Sequence, residues 1–299
     1  MKIFVTGATG FIGSAIVQEL SRAGHRVLGL ARSDAAAATL TAAGAEVHRG
    51  DLTDTASLRA GAAACEAVVH TGFIHDFANF AAVCEVDRRA IEAIGDELAG
   101  SSRPMLVAAG VALSRGEGII TEGDGVSGSR DAIPRIATEL ACEGLAARGV
   151  GVGVLRLPPT VHGEGDHGFM PMLIDVARRR GASAYVGAGR NRWPAVHRCD
   201  VASLVRLALA TPFAPGARFH AVAEQGVAFE AIAQVIGRRL RVPVVSKSPA
   251  EAEAHFGWLA HFAALDCPAS SERTRERLGW TPVGPGLLAD LDGPAYFAG

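Results

Sequence analysis

The 299-residue chain is poor in several features that would announce a function on their own. Its formal charge is only −2, so no global field draws it to nucleic acid or to an anionic membrane surface. No apolar run approaches the roughly 18 residues that a membrane helix needs, and the apolar N-terminus is broken by Gly7 and Gly10, unlike a signal peptide. A soluble, cytoplasmic protein with neither nucleic acid nor membrane as partner is expected. The five cysteines, Cys65, Cys84, Cys142, Cys199 and Cys267, are scattered without C-x-x-C spacing. They read as reduced, buried small apolar residues, not as a disulfide framework or a zinc site. His162, Glu164, Asp166 and His167 are close in sequence, but their spacing and Gly-x-Gly setting impose no coordination geometry, and no metal is expected. Tyrosine and lysine are scarce as well: only Tyr185, Tyr296, Lys2 and Lys247 are present.

What is present begins at the first residues. Lys2 to Thr6 is an apolar strand that runs into Gly7-Ala8-Thr9-Gly10-Phe11-Ile12-Gly13 and then into a helical stretch from Ser14 to Arg22. This is the pattern of a dinucleotide-binding turn. Gly7 allows the tight reversal, Gly10 lets the backbone approach a pyrophosphate, and Gly13 lets the helix pack close to the strand. The helix start then offers free N–H groups and a positive dipole end to phosphates. Gly7, Thr9, Gly10, Phe11, Ile12 and Gly13 are therefore candidate cofactor contacts.

With 49% apolar residues the chain is globular, and its length suits one large domain or two ordinary ones. Strand and helix patterns alternate: strand Arg26 to Leu30, helix Ser33 to Ala43 with Ser33 as cap, strand Glu46 to His48, a helix from Asp54, and strand Ala67 to His70. A helix Phe80 to Leu98, strand Met105 to Ala109, helix Ala132 to Ala147 and strand Gly151 to Leu157 follow. Such alternation builds an α/β fold with a Rossmann-type, doubly wound parallel sheet. Pro158-Pro159 closes the pattern, so the sheet is expected to be complete there. Residues 1–162 form the expected nucleotide-binding unit, with strands from about 191–223 returning to it. Residues 163–190 and 224–299 form a smaller substrate-binding region, in which the loop Gly163 to Gly168 reads as a hinged lid before a helix Met170 to Arg180.

The second strand indicates the cofactor. An NAD-selective site places an acid near its end to hold the ribose hydroxyls, whereas Ala31-Arg32-Ser33 stands there. Arg32 suits a 2′-phosphate and Ser33 adds a hydroxyl, so NADP(H) is expected. Asp51 and Leu52 border the adenine after the third strand, or Asp51 simply caps the next helix; Thr71 and Gly72 border the ribose after the fourth. Phe73, His75, Pro159, His162, Phe169, Arg192 and Trp193 supply the apolar, aromatic and few polar groups of a cleft for a bulky, flat substrate.

The opening Gly-Ala-Thr-Gly-Phe-Ile-Gly, the segment Gly50 to Asp54, Leu155-Arg156-Leu157-Pro158, Val196 to Val201 and Leu278 to Pro282 together resemble the extended short-chain dehydrogenase/reductases, in the NAD(P)-dependent epimerase/dehydratase branch. The resemblance covers essentially the whole chain. It implies that Pro158 also touches the cofactor and that a serine after the fifth strand and a Tyr-x-x-x-Lys pair on the next helix carry the chemistry. Counting back from Glu139, those positions fall on Ala109 or Gly110, on Asp131 and on Arg135. None keeps the expected side chain. Arg135 is still able to touch the ribose, but a group with a pKa above about 12 is a poor proton donor.

Two kinds of function follow. One is a non-catalytic NADP(H)-binding sensor. The other is an NADPH-dependent ketoreductase whose proton comes from elsewhere: from His162, the best protein-borne candidate, or from a phenolic hydroxyl of the substrate, since well-oriented intramolecular groups are very effective. The second case resembles the atypical ketoreductases of aromatic polyketide biosynthesis that act on angucyclinones, of the simocyclinone type. A sugar-nucleotide epimerase or dehydratase is the alternative enzyme class. The expected partner is a small molecule, an aromatic ketone, and the assembly a monomer or homodimer.

Overall fold

The computed structural model describes residues 1–114, 118–126 and 128–297. The chain begins with β1 (Lys2–Thr6), α1 (Phe11–Arg22), β2 (Arg26–Ala31), α2 (Asp34–Ala42), β3 (Glu46–Arg49), α3 (Thr55–Ala63), β4 (Ala67–His70), α4 (Phe80–Leu98) and β5 (Met105–Gly110). It continues through α5 (Ala137–Ala147), β6 (Val152–Leu157), β7 (Thr160–His162), α6 (Phe169–Arg180), β8 (Ser183–Val186), β9 (Arg192–His197) and α7 (Arg198–Ala210). The last part holds β10 (Ala217–His220), β11 (Glu224–Ala228), α8 (Phe229–Leu240), β12 (Val244–Lys247), α9 (Pro249–Phe256), α10 (Ala260–Ala263), α11 (Glu272–Leu278) and α12 (Leu287–Leu291).

Side-chain chemistry sets the boundaries. Ser33 caps α2 by accepting the Ala36 N–H at 3.2 Å, and Asp54 caps α3 by accepting from Ala56 and Ser57. α1 begins at Phe11, three residues before the apolar pattern becomes clear, with Gly10 as its cap residue. α5 begins at Ala137 instead of Ala132, because Pro134 holds Ile133 in an extended conformation and starts a single 3₁₀ turn, Pro134–Ile136.

Seven parallel strands in the order β10-β6-β5-β4-β1-β2-β3 make the central sheet. It is thus not complete at Pro158-Pro159. β10 adds in parallel beyond β6, pairing Ala217 with Gly153 and His220 with Arg156. Gly153 permits this, since a Cβ there would press on the Phe213 and Phe219 rings at 3.0 and 3.2 Å. Of the stretch from 191 to 223, only β10 returns to this sheet, whereas β9 lies in a separate three-strand sheet with β7 and β11. One face of the main sheet buries Ile16, Leu20, Val201 and Val205 of α1 and α7; the other buries Leu58, Ile91, Ile94 and Leu145 of α3, α4 and α5.

A second core surrounds Trp193, Phe229, Ile232, Phe256 and Leu291. Within the main sheet unit a buried ion pair ties β6 to α5: Arg156 donates to both Glu139 oxygens at 2.8 and 2.7 Å. Arg156 also donates to the Asp124 carbonyl and sits against His220, whose pKa burial pushes down to about 4. No helix among the described residues is long and apolar enough to cross a membrane.

Candidate functional site

The β1–α1 turn is held by backbone approach. Gly7 has φ +66°, and a Cβ on it would lie 2.7 Å from the Gly72 nitrogen. A Cβ on Gly13 would run into the Gly7 carbonyl. Thr71 donates its hydroxyl to the Thr6 carbonyl at 2.8 Å, and the Gly72 N–H reaches the Thr6 hydroxyl at 3.1 Å, so the expected phosphate and ribose segments are one unit. Gly10 brings no side-chain cap to α1, and the first turn holds no acid. These residues fit a dinucleotide diphosphate, because the helix keeps its N-terminal N–H groups for an anion and Gly7, Gly10 and Gly13 put no side chain of the turn in the approach.

At the end of β2 the Arg32 side chain is 77% exposed and is paired, among the described residues, with Asp51, its Nε 3.9 Å from a carboxylate oxygen. It is free to take a phosphate. Asp51 also accepts the Thr53 N–H and hydroxyl, so it caps a turn, while Asp54 caps the following helix. Leu52 packs toward Gly72, where a Cβ would meet its Cδ2 at 3.0 Å.

Behind the turn runs a buried polar chain that is absent from the sequence reading. His70 Nδ1 lies 2.9 Å from the Thr6 hydroxyl and its Nε2 3.1 Å from Asp87. Asp87 accepts from the Thr138 hydroxyl at 2.6 Å and from Arg135 at 2.5 Å. Burial alone would raise the Asp87 pKa, but the Arg135 charge and the His70 and Thr138 hydrogen bonds outweigh it and hold the carboxyl at about 2. The signal was available: Asp87 falls on the buried stripe of α4 with Val83, Ile91 and Ile94, where a charge requires a partner.

Arg135 is thereby fixed. Its guanidinium is bound by Asp87 and Thr138, lies 4.0 Å over the Phe73 ring, and sits beside the Ala108 carbonyl of β5 at 3.4 Å. Asp131 is exposed in the turn before Pro134, while Ala109 is buried and Gly110 ends β5. Pro158 is buried beside this strip and Pro159 is half-buried.

An aromatic wall lies against Arg135 through Phe73. Phe73 packs edge-on to His75 and Phe80, and Phe77 stacks on Trp258 with centroids 4.8 Å apart. Phe77 is 45% and Trp258 52% exposed although they stack on each other, so the wall faces solvent as well as the cleft. Phe169 continues it to Phe262 at 5.0 Å. Trp258, Phe262 and Phe80 escaped sequence reasoning, since the first two come from the C-terminal region, far along the chain.

Three expected site residues are placed elsewhere. Trp193 is buried in the second core behind Phe169, with its indole N–H donated to the Leu265 carbonyl at 3.2 Å. Arg192 is tied to Asp266 through its backbone and guanidinium. His162 is only 1% exposed, with Nδ1 2.8 Å from Asp290, which makes it a structural contact between β7 and α12 and not an acid open to the cleft. Among the described residues no group of three or more His, Cys, Asp or Glu side chains is placed to hold a metal.

Residues 3–83 match the model of the NAD dependent epimerase/dehydratase family. Along the whole chain, an uncharacterised protein of Schizosaccharomyces pombe is 49% identical over 298 residues, covering 99% of this chain and 100% of the relative. The 2-alkyl-3-oxoalkanoate reductase of Stenotrophomonas maltophilia is 31% identical over 230 residues, 73% of this chain and 67% of that protein. The chain belongs to the NAD dependent epimerase/dehydratase family. A crystal structure of dTDP-glucose 4,6-dehydratase from Streptomyces venezuelae, with NAD bound, shares the fold at a TM-score of 0.79 and 18% identity, covering 100% of this chain and 97% of that one. The turn and the Thr71-Gly72 segment are linked to Arg135 through Thr6, His70 and Asp87, and Phe73 of the aromatic wall lies against Arg135.

Proposed function

We propose that the protein is an NADPH-dependent ketoreductase of the atypical kind, acting on a bulky, flat ketone that carries its own acidic hydroxyl next to the carbonyl. The observation that carries this reading is the strip from β5 to α5. Ala109, Gly110 and exposed Asp131 stand where a hydroxyl pair would be, and Arg135, locked to Asp87, stands where an amine would be. Arg135 is a permanent cation without a proton to give, so its part is to hold charge and position. A positioned acid is worth about 10²–10⁴ in rate, and none of Ala109, Gly110, Asp131 and Arg135 is a hydroxyl or amine that would supply it.

When bound, the nicotinamide supplies a hydride to the carbonyl carbon. The neighbouring phenol of the substrate gives its proton to the carbonyl oxygen and is restored from solvent. Arg32 and Ser33 select the 2′-phosphate; the aromatic wall from Phe73 to Trp258 stacks the flat rings and excludes water. The Stenotrophomonas relative, named as a reductase of a 3-oxo compound, supports a ketone as substrate, and an aromatic polyketide ketone with a peri-hydroxyl is the finest form of the proposal. Incubation with NADPH and a hydroxy-tetralone should consume one NADPH per alcohol formed. Turnover of a sugar nucleotide without net NADPH use would replace this reading by an epimerase.

A further inference from the structure

Arg198 opens α7 and its side chain passes under the loop Gly163 to Gly168. Its Nη1 donates to the Glu164 carbonyl at 2.7 Å and its Nη2 to the Ser14 hydroxyl at 3.0 Å, while the guanidinium lies 5.0 Å from the Phe11 ring centroid. The route is built for it. Gly163 has φ +137°, and a Cβ there would press on Arg198 Cγ and Cδ at 3.0 and 3.1 Å. On its far side the same loop is tied to the C-terminal turn: the Tyr296 hydroxyl accepts the Gly163 N–H at 3.0 Å and donates to Asp166 at 2.9 Å.

The charge of Arg198 is otherwise unexplained. No carboxylate pairs with it among the described residues, and it is parked beside the first turn of α1, where the helix dipole opposes a cation. An anion on that helix start would satisfy both the cation and the dipole. We propose that Arg198 is a strap between the two halves: its guanidinium contacts the diphosphate of the bound dinucleotide, and by holding Glu164 it draws the Gly163–Gly168 loop down, so cofactor binding orders the substrate side of the cleft. The proposal rests on the dinucleotide reading of the β1–α1 turn.

Binding titrations of NADPH, NADH and ADP-ribose, with the full chain and with Arg198→Ala, test it. All three should weaken by one common factor, on the order of 10–100-fold, the usual size for losing hydrogen bonds between charged groups. A second readout is cleavage after Glu164 by a glutamate-specific protease at saturating ADP-ribose: the parent loop should be protected at least about tenfold and the Arg198→Ala loop should not. Should Arg198→Ala fail to fold, Ser14→Ala, which removes only the hydroxyl at the helix end of the strap, should show the reduced protection. Unchanged affinities or equal protection at saturation in the variants overturn the strap alone. A parent protein that binds none of the three nucleotides overturns the strap and the cofactor reading together.

Discussion

The β1–α1 turn and the β5–α5 strip are joined through one buried polar chain yet are made of different material. The turn is backbone: Gly7 and Gly13 act through the side chains they lack, and the groups offered to a phosphate are N–H groups that no substitution except proline removes. The strip is side chain, and at the positions that the proposed reading gives to proton transfer, Ala109, Gly110, Asp131 and Arg135, none of the four carries a hydroxyl or an amine. A cradle written in backbone persists as long as the fold does, whereas proton delivery is open to replacement one side chain at a time. The buried Thr6–His70–Asp87–Arg135 chain joins the two, so the strip has been rebuilt around an ion pair and not left empty.

The largest expected effect comes from breaking that join. Asp87→Ala leaves Arg135 and His70 without their acceptor and should destabilise the protein by about 3–5 kcal/mol in urea unfolding. Asp87 also predicts an acid limb. An unfolded aspartate takes its proton near 3.8, while the folded one holds it off until about 2. The stability this provides is complete above about pH 4 and is lost as pH falls through 2, by about 2 kcal/mol. Asp87→Asn should flatten that limb; an unchanged limb would mean that other carboxylates carry it.

Much of the turn was legible in the sequence, because glycine spacing and strand–helix alternation are local signals. The ends of β4 and α4 were read to the residue, and Ser33 was read as the cap it is. The seventh strand was read only as a return to the sheet somewhere between about 191 and 223, because its pairing with β6, more than sixty residues earlier, depends on Gly153 making room for Phe219. Trp193 and His162 were read as cleft residues from their proximity to loops, but burial is a tertiary property: one side chain points into the second core and the other into a pair with Asp290.

Next in size is a test of the backbone cradle. Gly7→Ala puts a Cβ against Gly72 in a left-handed conformation and should cost about 2–4 kcal/mol in stability, with dinucleotide binding lost. A variant as stable as the parent that still binds would show that the turn is not set by this close approach.

Cofactor choice should respond more modestly. Arg32→Ala is expected to weaken NADPH by about 1.5–3 kcal/mol and to leave NADH nearly unchanged. Equal losses measured by titration would remove the case for the 2′-phosphate. Smallest of all should be Asp131→Asn, whose turnover should stay within about tenfold, or 1.4 kcal/mol, of the parent. A fall of several decades with NADPH binding intact would make Asp131 the acid and return chemistry to the strip.

The central claim is that the strip delivers no proton and the substrate does. The direct measurement is NADPH oxidation with 8-hydroxy-1-tetralone and with its 8-methoxy analogue, at saturating ketone. The account predicts reduction of the hydroxy ketone and at least about 10²-fold slower reduction of the methoxy ketone, the loss that follows removal of a positioned acid. Equal rates for the two would contradict it, and would mean that a group of the protein itself protonates the alkoxide.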